Sequence, residues 1–179
     1  MNVKTVASLL FFSILSFSPF VAQAEMSQKM QAKDNGEVIA WVEAIDNFEV
    51  NAAQVALTKT LDSAVKNYAT TLDSDHNQNL KQVTALGDEM GGKPIETRAL
   101  TKFKRGGDKQ LKKLTAENNG NFQKVFINDM IAGHTDALKK VDRDLMKKAK
   151  NDKLKSFLQE TRAMIAHHLE MAKEIKKTI

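Results

Sequence analysis

Only two prolines interrupt the 179 residues, Pro19 near the start and Pro94 in the middle. Proline breaks helix interiors and central strands alike, so a chain this poor in it can run in long unbroken elements. Aromatic residues are 6 % of the sequence and β-branched residues are scattered, too few for a strand-rich domain. Long helices are the expectation.

Hydrophobic spacing sets out four of them. The first stretch, Glu37 to Thr58, follows Asp34-Asn35-Gly36, where Asp34 or Asn35 can cap, and carries the stripe Val38, Trp41/Val42, Ile45, Phe48, Ala52, Val55/Ala56. The second, Asp62 to Gly87, shows Leu61, Val65, Tyr68/Ala69 and Leu72, then a gap before Leu80, Val83 and Leu86. Gly91-Gly92-Lys93-Pro94 stops that helix. A polar connection with Gly106-Gly107 follows, holding a short helix from Asp108 to Glu117. The third stretch runs from Asn119 to Lys150 with Phe122, Val125/Phe126, Met130, Leu138, Val141, Leu145 and Ala149 inward. The fourth begins at Asp152 and alternates spacings of four and three through Leu154, Leu158, Thr161, Ile165, His168, Ala172, Ile175 and Ile179.

The joints near Lys59 to Leu61 and Lys150 to Asp152 are very short, which makes their flanking helices antiparallel neighbours. Two hairpins joined by a long connection give an all-α, antiparallel four-helix bundle of ferritin-like type over residues 37–179.

Ahead of the bundle, the first 24 residues read as a secretory signal. Lys4 supplies the positive start, Val6 to Phe17 the apolar run, and Ala22-Gln23-Ala24 the small-residue cleavage site. Residues 25–36 are then a short tail, and the expected location is periplasmic or secreted. The chain has no cysteine, so no disulfide or thioether lipid anchor supports it and the core alone must hold the fold. No second long apolar run follows the leader, and integral membrane insertion is not expected. The net charge is +5, with basic residues dense over Lys93 to Lys113 and Lys139 to Lys155. These runs mix with acids and lack interleaved aromatics, so a solvated surface is expected there and nucleic acid is not the partner. Peripheral contact with the envelope surface is the membrane association such a charge allows.

Each stripe is interrupted by one polar residue on its core side. Glu49 stands at Ile45 plus four, His76 at Leu72 plus four, His134 at Met130 plus four and His168 at Ile165 plus three. If the hairpins pack with their short turns at one end, these four residues fall within roughly 9 Å of one height. Three imidazoles and one carboxylate suit zinc, iron, manganese or copper better than calcium or magnesium. Asp73, His167 and Glu170 lie near enough along their helices to support the ligands from behind, although a solvated role suits His167 better. The competing reading is a metal-free polar layer whose members hydrogen-bond one another. Met130, Met164 and Met171 near the histidines would add a soft ligand set suited to cuprous copper, but methionine is also a routine filler of helical cores. No phosphate-cradling loop, nucleophile elbow or hydrolytic triad signature is present, so an ordinary hydrolase or transferase gains no support.

The segment Val38 to Gly92, with Glu49 in a small-residue helix, Asp75-His76 and Gly91-Gly92-Lys93-Pro94, resembles the exported bacterial domain of unknown function 4142. Asn121-Phe122, Met130 four before His134, and His168-Leu169 with Ala172 resemble the closing helices of that family. The resemblance implies a ferritin-like bundle. It also brings the frequent label "predicted outer membrane protein", which the composition does not support as an integral fold, and it implies no settled activity. Ferritin-like di-iron sites use a Glu from each of two helices and two Glu-x-x-His pairs. This chain instead offers Asp73-x-x-His76, Ile131 three before His134, and His167-x-x-Glu170 in reversed order. Too few carboxylates remain to bridge two irons, so one bound metal is the expectation, in metal handling or envelope stress. The alternative is a metal-free structural or adaptor protein.

Overall fold

A computed structural model describes residues 19–90 and 93–179, with side chains from residue 23 onward. Among them there is no strand. The helices are α1 (Pro19–Leu57), α2 (Ser63–Glu89), α3 (Arg98–Ala116) and α4 (Asn119–Lys140), a π-helical turn over Val141–Leu145 that runs into the short α5 (Met146–Lys148), and α6 (Asp152–Lys176). The architecture is the expected antiparallel four-helix bundle, built of α1, α2, α4 with its extension, and α6. Helix α1 packs along α2, α4 along α6, and α2 along α6, while α3 lies against α1.

Caps mark most of the boundaries. Thr97 Oγ1 accepts from Leu100 N at 3.2 Å to start α3, and Asn118 Oδ1 accepts from Asn121 N at 3.1 Å to start α4. Asn151 Oδ1 accepts from Lys153 N and Leu154 N to start α6. The expected cap at Asp34 or Asn35 is not used, because α1 already runs through these residues. The run before them, rich in Ala, Glu, Met, Gln and Lys, continues the helix through the expected tail. Residues 23–33 are exposed on every side, Met26 and Met30 included. Gly36 is a close-approach residue rather than a turn. An added Cβ there would lie 2.5 Å from Lys93 O, and Gly36 O accepts from Ile95 N at 3.0 Å. Most of the leader-like segment and Gly91-Gly92 fall outside the described residues; Ala22-Gln23-Ala24 lies within α1.

Helix α3 is longer than the expected Asp108 to Glu117 and runs straight through Gly106-Gly107. Its Gly107 lies against Phe48, where a Cβ would sit 2.9 Å from the ring. Phe103 packs on Trp41 at 5.3 Å and on Phe48 at 6.5 Å between ring centroids. At its far end Lys59 Nζ donates to Thr115 O at 2.8 Å and Glu117 O at 3.0 Å.

These contacts fix the register of the hairpins, and it differs from the expectation. The α1–α2 turn lies beside the start of α4, since Asp62 N donates to Gln123 Oε1 at 2.7 Å. The α5–α6 turn lies at the other end, where Lys150 N donates to Asn35 Oδ1 at 3.4 Å and Lys148 pairs with Glu37. The short turns are therefore at opposite ends, and α3 carries the chain back down the length of the bundle between α2 and α4. The polar residues still meet, because they lie near the middle of their helices and mid-height positions align in either register.

Two apolar clusters fill the two ends. One gathers Val38, Ile39, Val42, Val83, Val141, Leu145, Leu154 and Leu158. The other gathers Ala52, Tyr68, Leu72, Phe122, Phe126, Ile127, Met130 and Ala172. Between them lies a buried polar layer.

Candidate metal centre

The gap in the α2 stripe between Leu72 and Leu80 is filled by His76 and Asn79, both buried. Helix α4 contributes His134 and α6 contributes Thr161 and His168; α1 contributes Asp46 and Glu49, and all of these are buried as well. The three histidines present one ligand atom each, and these atoms lie within 4.8 Å of one another. Their ring centroids are 5.2 Å apart for His76–His168, 5.5 Å for His134–His168 and 5.9 Å for His76–His134.

Each imidazole is held by one nitrogen against an acceptor. His76 Nδ1 is 2.8 Å from Asp46 Oδ1, His134 Nδ1 is 2.9 Å from Met130 O, and His168 Nε2 is 3.0 Å from Asp75 Oδ2. A carboxylate or carbonyl oxygen only accepts, so in the neutral ring that nitrogen carries the proton and the other presents a lone pair. Those other nitrogens, His76 Nε2, His134 Nε2 and His168 Nδ1, are buried and without a partner, and so is Glu49 Oε2. Glu49 Oε1 lies 3.8 Å from His134 Nδ1, beyond hydrogen-bond reach. One layer of the core thus holds three unpaired imidazole nitrogens and an unpaired carboxyl oxygen.

Burial sets the protonation of this layer. It pushes the Glu49 carboxyl up to about 7, and the nearby His76 opposes that only in part. Burial drives His134 down to about 3, with His76 adding to the effect, and His168 down to about 4, where its hydrogen bond to Asp75 works the other way. Burial also raises Asp46, opposed by its bond to His76. Tyr68, whose hydroxyl is buried and unpaired, is raised by burial and by Glu49.

The expected quartet of Glu49, His76, His134 and His168 is therefore in one layer, with the histidines as its compact group. The expected supporting residues are not there. Asp73 accepts from Gln54 Nε2 at 3.2 Å and from Asn77 Nδ2 at 3.1 Å on the flank of α2. His167 is exposed, one residue round the helix from His168, and Glu170 is an exposed partner of Lys173 at 2.7 Å. Asp46 and Asp75 take that role instead. Asp46 was legible in principle, being Val42 plus four and Glu49 minus three on the same face; Asp75 lies off the stripe and reaches α6 only because α2 and α6 are adjacent. Asn79 Nδ2 donates to Asp46 Oδ2 at 2.9 Å and Thr161 Oγ1 donates to Asn79 Oδ1 at 2.9 Å, which ties α1, α2 and α6 together. The methionines pack in apolar clusters, Met130 and Met171 at one end and Met164 at the other.

A family model described as a domain of unknown function, DUF4142, matches residues 20–175. The chain belongs to that family. A crystal structure of a DUF305 fragment from Deinococcus radiodurans is similar in fold, with a TM-score of 0.71 and 11 % identity, covering 82 % of this chain and 97 % of that one. No curated protein matches. The DUF4142 chain described here is an all-α bundle whose three buried histidines could hold a metal ion. Among its described residues no helix is long and apolar enough to cross a membrane. Ion pairs hold part of the basic runs, as in Lys104–Glu96, Lys140–Asp144 and Lys153–Glu89.

Proposed function

We propose that this protein holds one transition-metal ion in the middle of the bundle, bound by His76, His134 and His168 with Glu49 as a fourth ligand, and serves metal handling or stress defence in the periplasm or outside the cell. The single observation that carries this reading is the set of three unpaired imidazole nitrogens and one unpaired carboxyl oxygen buried in one layer. A purely structural polar layer would pair donors with acceptors, because a buried unpaired polar group costs on the order of 1–3 kcal/mol. A cation meets four lone pairs at once.

The outer nitrogens support the same reading. Each ligand histidine is backed by a carboxylate or a backbone carbonyl, the arrangement that fixes tautomer and ring orientation in metal sites. Neutral imidazoles with one carboxylate suit zinc, copper, iron or manganese, and the lowered pKa values of His134 and His168 keep those rings ready to bind near neutrality. A tetrahedral ion with bonds of about 2.0–2.1 Å holds its nitrogens roughly 3.3 Å apart, so ligand atoms now within 4.8 Å of one another draw closer on binding. Chemistry at a di-iron centre is not part of the proposal: of the nearby carboxylates, Asp46 and Asp75 are already engaged with histidines and only Glu49 is free to ligate. The export half of the reading rests on the leader-like residues 1–24.

The test is a cobalt(II) titration of chelator-treated protein, followed by its visible ligand-field bands. One equivalent should bind with bands of four-coordinate intensity, displaced by zinc, and His76→Ala and His168→Ala should lose them. Absence of any saturable band from the folded protein would leave the metal-free structural reading, which the Asp46–Asn79–Thr161 network across three helices would then explain.

A further inference from the structure

The bundle is open on one side. A cleft of about 560 Å³ runs in between α1, α4 and the overlying α3, and Glu49 is part of its lining. That volume falls in the range of small-molecule sites, far larger than an ion needs. The α1 wall carries the rings of Trp41 and Phe48; the facing α4 wall carries Ala132, Gly133 and Ala137, which offer nothing beyond a Cβ. Phe103 packs on both rings and Lys140 Nζ stands 3.9 Å from the Trp41 ring centroid, so a planar ligand meets this aromatic wall by taking the place of the lysine head over the indole.

Two of the glycines are not demanded by packing. An added Cβ on Gly106 meets nothing within 4 Å, and on Gly133 it meets only Glu49 Oε1 at 3.5 Å, an ordinary contact. Glycine within a helix is destabilising relative to alanine, so their effect here is an unfilled cleft. At the rim, Asp136 is held by Lys139 and Lys140 by Asp144, each at 3.0 Å, while Lys102 takes part in no ion pair among the described residues. At the inner end lies Glu49, only 3 % exposed, whose Oε1 is the atom an added Cβ on Gly133 would meet.

We propose that this cleft binds a small hydroxylated aromatic acid. Its ring lies against Trp41 and Phe48, its carboxylate meets Lys102 at the rim, and its hydroxyl donates to Glu49 at the floor. A shallower recess on the α2–α6 side contrasts with it, lined by Asp75, Gln78, Asn79, Gln82, Glu160 and Met164, with two carboxylates and no cation to attract such an anion. A carboxylate has lone pairs on both oxygens, so Glu49 can accept from the ligand whether or not a metal takes its other side. The inference is thus separable from metal binding.

The experiment follows the indole N–H resonance of Trp41, the single tryptophan of the chain, while 4-hydroxybenzoate, benzoate or phenol is added to chelator-treated and to zinc-treated protein. Saturable shifts with 4-hydroxybenzoate are expected at a dissociation constant of about 1 mM or tighter, with benzoate and phenol each weaker by about tenfold. Gly106→Leu, whose side chain projects into open space and leaves the fold intact, should abolish the shifts. Lys102→Ala should weaken 4-hydroxybenzoate and leave phenol unchanged. No saturable shift in either protein state, equal binding of all three probes, or full binding by Gly106→Leu would overturn the proposal. Zinc failing to bind while 4-hydroxybenzoate does would overturn only the metal reading.

Discussion

The apolar clusters at the two ends of the bundle and the polar layer between them are equally buried, yet they are built on opposite terms. In the clusters, side chains such as Phe122 and Phe126 stack at 5.8 Å and Tyr68 packs on Phe126 at 6.1 Å, so burial itself is the gain. In the layer, His76, His134, His168 and Glu49 are desolvated and each keeps an atom without a partner. Stability is thus carried by the ends, and the middle is free to be specialised. Substitutions in the clusters should be read out as folding, and substitutions in the layer as binding.

The largest effect is expected from Phe126→Ala, which empties a fully buried ring site in the cluster of Tyr68, Leu72 and Phe122. It should cost about 3–5 kcal/mol in urea unfolding, with or without metal. A loss below about 1 kcal/mol would break the division of labour between ends and middle. Next comes Asp46→Asn, which keeps the shape but removes the charge behind His76. Metal affinity measured by competition with a chromophoric chelator should fall about 10–100-fold, a larger effect than the loss of folding stability in the metal-free protein. The reverse pattern would make Asp46 a folding residue only.

The metal-free protein should also show the layer in its pH dependence. Of the three groups Glu49, His134 and His168, between pH about 4.5 and 6.5 the unfolded chain protonates both histidines, whereas the folded chain protonates only Glu49. The unfolded state binds more protons, so stability should fall on acidification by on the order of 1 kcal/mol per pH unit. Above pH about 6.5 the sign reverses, because Glu49 alone is still protonated in the fold until pH about 7. Unfolding curves across this range should therefore peak near pH 6.5; stability that climbs steadily toward acid would contradict the buried, neutral histidines. The smallest effect is Gly106→Ala. It should raise stability by about 0.5–1 kcal/mol in thermal unfolding, since its Cβ touches nothing, and a loss instead would show that α3 needs the glycine for its own path.

Much of this arrangement was legible in the residues, and the rest was hidden for physical reasons. The spacing of Leu154, Leu158, Thr161, Ile165, His168 and Ala172 gave α6 and its inward face, because a bundle seam repeats every three to four residues. The same logic put Glu49 and the three histidines in the core. Helix starts were read less well: Asn35 looks like a cap, but strong helix formers on its N-terminal side carry α1 past it. Gly106-Gly107 looked like a break and is helix, since tertiary contact with Phe48 outweighs the glycine penalty. The ends at which the short turns fall depend on how two hairpins dock, and no local pattern encodes that. The contact of Asp75 with His168 is hidden for the same reason, as its partner is on a helix 93 residues away in sequence.

The most direct test of the central claim is elemental analysis by mass spectrometry of untagged protein purified from its native source, beside His76→Ala and His168→Ala. The account predicts close to one equivalent of zinc, copper, iron or manganese in the wild-type protein and none in either variant. A wild-type protein that is folded and metal-free, both as isolated and after incubation with these ions, would contradict it.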